Sequence, residues 1–93
     1  MRYRLAQTRR FARAYKKQHD NVAADVDSAA AEVADNPSAG ERKRGDLADL
    51  RVNKFRSQGQ LYLLGYTVDD GIRLVYLEAV SPHENFHHDS KRS

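Results

Sequence analysis

The stretch QLYLLGYTV, residues 60–68, constrains the fold more than any other. Its apolar side chains fall on both parities, with Leu61 and Leu63 on one face and Tyr62, Leu64 and Tyr66 on the other. A strand alternates its side chains between the two faces of a sheet, so one that is apolar on both faces is central and covered on both sides. The sequence supplies its neighbours. LRVNKFR precedes it across Ser57-Gln58-Gly59, and IRLVYLEAV follows across Asp69-Asp70-Gly71; both separators are turn-forming. The spacing predicts an antiparallel three-strand meander. In its last strand Ile72, Leu74 and Tyr76 stand opposite Val75 and Leu77, and in its first Val52, Lys54 and Arg56 alternate with Arg51, Asn53 and Phe55.

The cover for this sheet lies upstream. In DNVAADVDSAAAEVADNP, Val22, Val26, Ala29, Ala30 and Val33 form the stripe of an amphipathic helix, and Asp25, Asp27, Ser28 and Glu32 occupy its other face. Asp20 or Asn21 is suited to cap its start, and Asn36-Pro37 ends it, because the residue before proline disfavours helical geometry. An earlier helix through RRFARAYKKQ takes Thr8 as its cap. It turns Phe11, Ala14, Tyr15 and Gln18 to one side, with Arg9, Arg10, Arg13, Lys16 and Lys17 around the rest. We read those cations as a solvated face in preference to a nucleic-acid surface, since charge runs are usually solvated. YRLAQT before it has strand character, His19 is an exposed junction residue, and SAGERKRGD reads as an exposed connection. The expected architecture is α+β: an N-terminal strand and a helical hairpin packed on a small twisted antiparallel sheet, with a short C-terminal tail.

Ninety-three residues, 40% of them hydrophobic, suit one domain over 1–93 with a modest core. Sixteen Lys and Arg against 13 Asp and Glu give a formal charge of +3, compatible with a polyanionic partner. With no cysteine there is neither a disulfide framework nor a thiolate metal site, and the cytoplasm is the simplest home. The charged N-terminus lacks the apolar core of a signal peptide, and no stretch approaches a membrane span.

Residues 83–87, HENFH, spell the H-E-x-x-H pattern of zinc peptidases. The spacing is right and the context is wrong. A catalytic zinc needs a third protein ligand, only six residues follow His87, and His88 and Asp89 are too close in sequence to supply it. We expect no metal site and no cofactor, beyond adventitious binding of metal by the histidines in vitro.

The run from Gly40 to Arg92, above all GDLADLRV with its following KFR, the central YLLGYTVDD and the ending AVSPHENF, resembles the RelE/ParE superfamily of bacterial type II toxins. With the lead-in helices the resemblance covers nearly the whole chain. It implies the architecture already read from periodicity, and a partner: a cognate antitoxin that holds the toxin inactive. Many members are endoribonucleases that cut mRNA in the ribosomal decoding site, and the ParE branch inhibits DNA gyrase. Lys54 and Arg56 match the basic strand of the RelE branch. His83 falls where YafQ-like members carry a histidine after the last strand, which favours the ribonuclease branch. The chain departs from the expected pattern at positions 53, 87, 88 and 90, where Asn53, His87, His88 and Ser90 replace an aromatic, a tyrosine, a basic residue and a leucine. The HENFH pattern arises from that replacement at position 87.

Metal-free RNA cleavage uses the 2′-hydroxyl as nucleophile, so a proton must leave it, charge on the phosphorane must be held, and the 5′ oxygen must be protonated. The resemblance implies His83 as general base or acid, with His87 as the second proton-transfer or base-stacking group; imidazole suits both with its ordinary pKa of about 6.5. Lys54, Arg56 and Arg73 are expected on the phosphate, and Lys43, Arg44 and Arg51 in generic RNA contacts. Glu78 is the expected ion-pair partner of the last strand, and Phe86 the anchor of the tail. The implied function is a metal-independent, ribosome-dependent mRNA endoribonuclease, with ribosome and mRNA as further partners and operator DNA reached through the antitoxin. The alternatives are a gyrase inhibitor and a degenerate toxin that retains only antitoxin binding.

Overall fold

The computed structural model describes residues 2–42 and 50–83. The elements are β1 (Arg4–Gln7), α1 (Arg9–Lys16), α2 (Asp20–Asp35), a 3₁₀ turn (Pro37–Ala39), β2 (Glu41–Arg42), β3 (Arg51–Ser57), β4 (Gln60–Asp69) and β5 (Leu74–Pro82). The five strands form one sheet in the order β1-β5-β4-β3-β2. The α+β architecture is the expected one, and β3-β4-β5 is the expected meander with β4 at the centre. The sheet is mixed, because β1 runs parallel to β5, pairing Arg4 with Leu74 and Gln7 with Leu77.

Local chemistry explains the elements. Thr8 caps α1, its hydroxyl accepting from the Phe11 amide at 3.1 Å. Val22, Val26, Ala29, Ala30, Val33 and Ala34 of α2 are all buried. Burying each of the three valines stabilises the fold by about 1.5–3 kcal/mol. The helix ends at Asp35, and Asn36 before Pro37 takes φ −144° and ψ 77°, outside the helical region. Its start differs from expectation: His19 is the cap residue and makes no side-chain hydrogen bond, while Asp20 is already helical. There the carboxylate acts on the positive end of the helix dipole. A two-residue turn joins β3 to β4, with Gln58 at φ 52° and Gly59 at φ 76°. Paired positive φ values match the twist of a tight hairpin.

Paired residues share a face. Tyr62, Leu64, Tyr66, Val75, Leu77 and Val80 face the helices and join Phe11 and the α2 stripe in one core. The opposite face carries Val52, Lys54 and Arg56 of β3 beside Gly65, Leu63 and Leu61 of β4. Val52 and Leu63 are buried there as well, and Leu50 lies against Gly65, so β4 is covered on both sides as its sequence requires.

Two local readings change. The stretch read as an exposed connection holds the 3₁₀ turn and β2, which pairs Glu41 with Val52. It is pinned by Tyr66, whose hydroxyl donates to the Pro37 carbonyl at 2.7 Å and accepts from the Gly40 amide at 3.0 Å. Gly40 is buried so tightly against that ring that any Cβ would collide with the hydroxyl. β5 begins at Leu74; Ile72 and Arg73 still belong to the turn, with Arg73 at φ 52°. The turn extends because the Asp69 carboxylate accepts from the amides of Gly71 and Ile72, at 3.0 and 3.3 Å.

Candidate active site

The period of two in β3 sends Lys54 and Arg56 to the face away from the helices, and both are exposed. The tight hairpin fixes their register: Lys54 lies beside Leu63 and Arg56 beside Leu61. Leu63 in turn pairs with Ser81 of β5, and the neighbouring Tyr62 with Pro82. His83, exposed, follows Pro82 directly. Two strand spacings, about 10 Å, therefore separate the backbone of Lys54 from that of Ser81. Two cations and an imidazole thus share one end of the sheet. The Lys54 ammonium stands 3.9 Å from the Glu41 carboxylate of β2, with both side chains more than half exposed. Such a contact is weak and readily exchanged for a phosphate.

The other expected residues are distributed differently. Arg51 points to the helix side, half-buried, where its guanidinium donates to the Gly40 carbonyl at 3.2 Å; that contact holds the strand edge in place. Arg73 sits beyond Asp69 at the opposite end of β4, about 20 Å from the Leu63 level at about 3.3 Å per residue, so the sheet does not bring it to Lys54, Arg56 and His83. Glu78, half-buried on the face away from the helices, accepts from the Thr67 hydroxyl at 2.9 Å. His87, Lys43, Arg44 and Phe86, with most of the HENFH pattern, lie outside the described residues. Among the described residues no group of three or more His, Cys, Asp or Glu is placed to hold a metal ion. Tyr62 and Tyr66 are buried in the core, and Tyr76 is exposed on the other face. Burial pushes the Tyr66 phenol above its ordinary pKa, against the opposing pull of the Gly40 amide and Arg51.

One feature has no counterpart in the site expected from the sequence. A cleft of about 450 Å³ lies between α1 and the end of β5, lined chiefly by Arg9, Arg10, Arg13, Lys17, Ser81 and Pro82. The signal was present in the i, i+4 spacing of RRFARAYKK, but nothing local shows that this side of the helix faces a groove.

The family described as ParE-like toxins of type II bacterial toxin–antitoxin systems matches residues 5–91. The chain belongs to that family. No curated protein matches. Solved structures agree on the fold. A chain of the intact RelBE toxin–antitoxin complex of E. coli is 26% identical, with TM-score 0.70 over 85% of this chain and 94% of that one. A chain of the Mycobacterium tuberculosis RelBE2 toxin–antitoxin complex is 25% identical, with TM-score 0.73 over 89% and 100%. A free double arginine-to-alanine mutant of E. coli RelE is also 25% identical, with TM-score 0.73 over 99% and 98%. This type II toxin thus carries the RelE/ParE fold over its whole described length. Among its described residues no helix is long and apolar enough to cross a membrane.

Proposed function

We propose that this toxin is a metal-independent, ribosome-dependent mRNA endoribonuclease of the RelE branch, neutralised by a cognate antitoxin. The observation that carries the reading is the convergence of Lys54, Arg56 and His83 at one end of the sheet, on register rather than on sequence proximity. His83 takes the proton of the 2′-hydroxyl or returns one to the leaving 5′ oxygen. Lys54 and Arg56 hold the charge that grows on the phosphorane, Arg56 with the planar fork suited to two phosphate oxygens. His87, outside the described residues, is the proposed second proton-transfer group, and Lys43 and Arg44, also outside them, contribute generic RNA contacts. Arg73 is too far along β4 to act on the same phosphate, and we assign it to the periphery of the RNA contact.

The antitoxin complexes of the structural relatives support the partner. An antitoxin segment that covers the face away from the helices would block Lys54 and Arg56 together, and operator DNA would be reached through that antitoxin. The decisive experiment is 5′-end mapping of cellular RNA after induction. Breaks on translated messages that vanish in His83→Ala support the reading; intact mRNA alongside gyrase-linked DNA breaks sinks it. Gyrase inhibition is the second reading because the matching family is the ParE-like one.

A further inference from the structure

We propose that the cleft between α1 and the end of β5 is a polynucleotide groove, in which Arg9, Arg10, Arg13 and Lys17 bind the phosphates of a single RNA strand leading to His83. Its direction toward His83 rests on the ribonuclease reading; the binding itself does not.

Charge points to it first. Residues 1–18 contain seven of the chain's 16 Lys and Arg and none of its 13 Asp and Glu, which leaves nine basic against 13 acidic residues in the remainder. The surplus positive charge is therefore concentrated at the N-terminus. Arg9, Arg13 and Lys17 follow at i, i+4 and i+8, a row about 12 Å long at 1.5 Å per residue, and Arg10 flanks it. Like charges at this spacing repel and destabilise the helix by a few tenths of a kcal/mol per pair. No ion pair among the described residues engages these four cations; Arg2 pairs with Asp35 and Lys54 with Glu41. Two carboxylates of α2 are engaged elsewhere, Asp27 by the Tyr15 hydroxyl and Asp25 by Ser57.

The cations are exposed and line an open, shallow concavity. Ser81 and Pro82, at the end of β5, form its second wall. Pro82 is followed directly by His83, so the β5 end of the groove is next to that residue in the chain. Among the described residues the lining contains no aromatic side chain on which a base could stack and no large apolar anchor for a peptide. Three cations in a row of about 12 Å suit about three successive phosphates of an extended strand. The chemistry recognised is the sugar-phosphate backbone, without sequence preference.

The test uses the full-length toxin and a short single-stranded RNA, 2′-O-methylated so that it cannot be cut, with affinity read by fluorescence anisotropy over a salt series. Each phosphate contact contributes about 0.7 to the slope of log K against log salt concentration. Neutralising three cations in Arg9→Gln/Arg13→Gln/Lys17→Gln is expected to lower that slope by about 2, and Arg9→Lys/Arg10→Lys/Arg13→Lys to retain it. An unchanged slope in the glutamine variant overturns the proposal. So does an equal loss in the lysine variant, which would mark a packing effect. Unaltered RNA binding with weakened affinity for the antitoxin would assign the groove to an acidic protein segment and overturn it as well. RNA mapping separates the two readings. Intact cellular mRNA with the slope change retained refutes the ribonuclease and leaves the groove; cut mRNA with no slope change refutes the groove alone.

Discussion

Replacing Tyr66 by Phe removes one oxygen from a fully buried ring and detaches a whole segment. The hydroxyl donates to Pro37 and accepts from the Gly40 amide, so its loss leaves that buried amide without a partner and frees a carbonyl that is only half-buried. An orphaned buried donor costs about 1–3 kcal/mol, and the carbonyl adds little because water can reach it. We take about 2 kcal/mol, which in a domain this small lowers the melting temperature by roughly 10 °C. Gly40→Ala drives a methyl group against the same hydroxyl and is destabilising on its own. The two substitutions must therefore couple: the double variant is expected to be less destabilised than the sum by about 0.5 kcal/mol or more. Urea denaturation of the parent, both single variants and the double variant gives the cycle. A Tyr66→Phe melting temperature within about 2 °C of the parent, or strict additivity, would refute the view that this hydroxyl holds residues 37–42 to the sheet. The effect reaches the candidate active site, because β2 presents Glu41 to Lys54.

Other outcomes can be measured directly. Lys54→Ala and Arg56→Ala are each expected to lower mRNA cleavage by roughly 10²–10³-fold, and Arg73→Ala by much less, in a reconstituted translation assay with primer extension. Cleavage is expected to persist in EDTA at concentrations that leave the ribosome intact, since the proposed proton transfers run through imidazole; loss of activity rescued by a divalent ion alone would contradict this. The phenols of Tyr3, held by Asp70, Tyr15, held by Asp27, and Tyr66, held by burial, all lie above the ordinary value of 10.0. The folded state then retains protons that the unfolded chain releases, so stability is complete below pH 10 and falls as pH rises through the folded values. Urea midpoints across that range should show the decline, and it should be shallower in Tyr66→Phe.

The parts legible in the sequence are those specified by neighbours. The α2 stripe, the Thr8 cap, the helix stop at Asn36-Pro37 and the central position of β4 each depend on side chains within a few residues of one another. The alternation in β3 likewise put Lys54 and Arg56 on one face and Arg51 on the other. Long-range pairing carried no such signal. Nothing in RLAQ indicates that it lies parallel to β5, and nothing in GERKR indicates that Glu41 and Arg42 form an edge strand anchored by a tyrosine 26 residues from Gly40. Arg73 looked equivalent to Lys54 and Arg56 as a strand cation. Only the register shows that a central strand ten residues long stands between them. The α1 cations were legible as charge but not as the wall of a groove, because the second wall is the end of β5.

The pairing of Arg4 with Leu74 joins residues 70 positions apart, and it bears on when the molecule becomes dangerous. A nascent chain that ends before β5 has no partner for β1, no wall for α1 to pack against and no His83. Closing so long a loop is entropically costly and kinetically late, so the sheet is completed only once β5 has been made. Chains terminated before β5 are therefore expected to be non-toxic on induction. Toxicity is thus tied to the synthesis of the last strand and not to that of the helices.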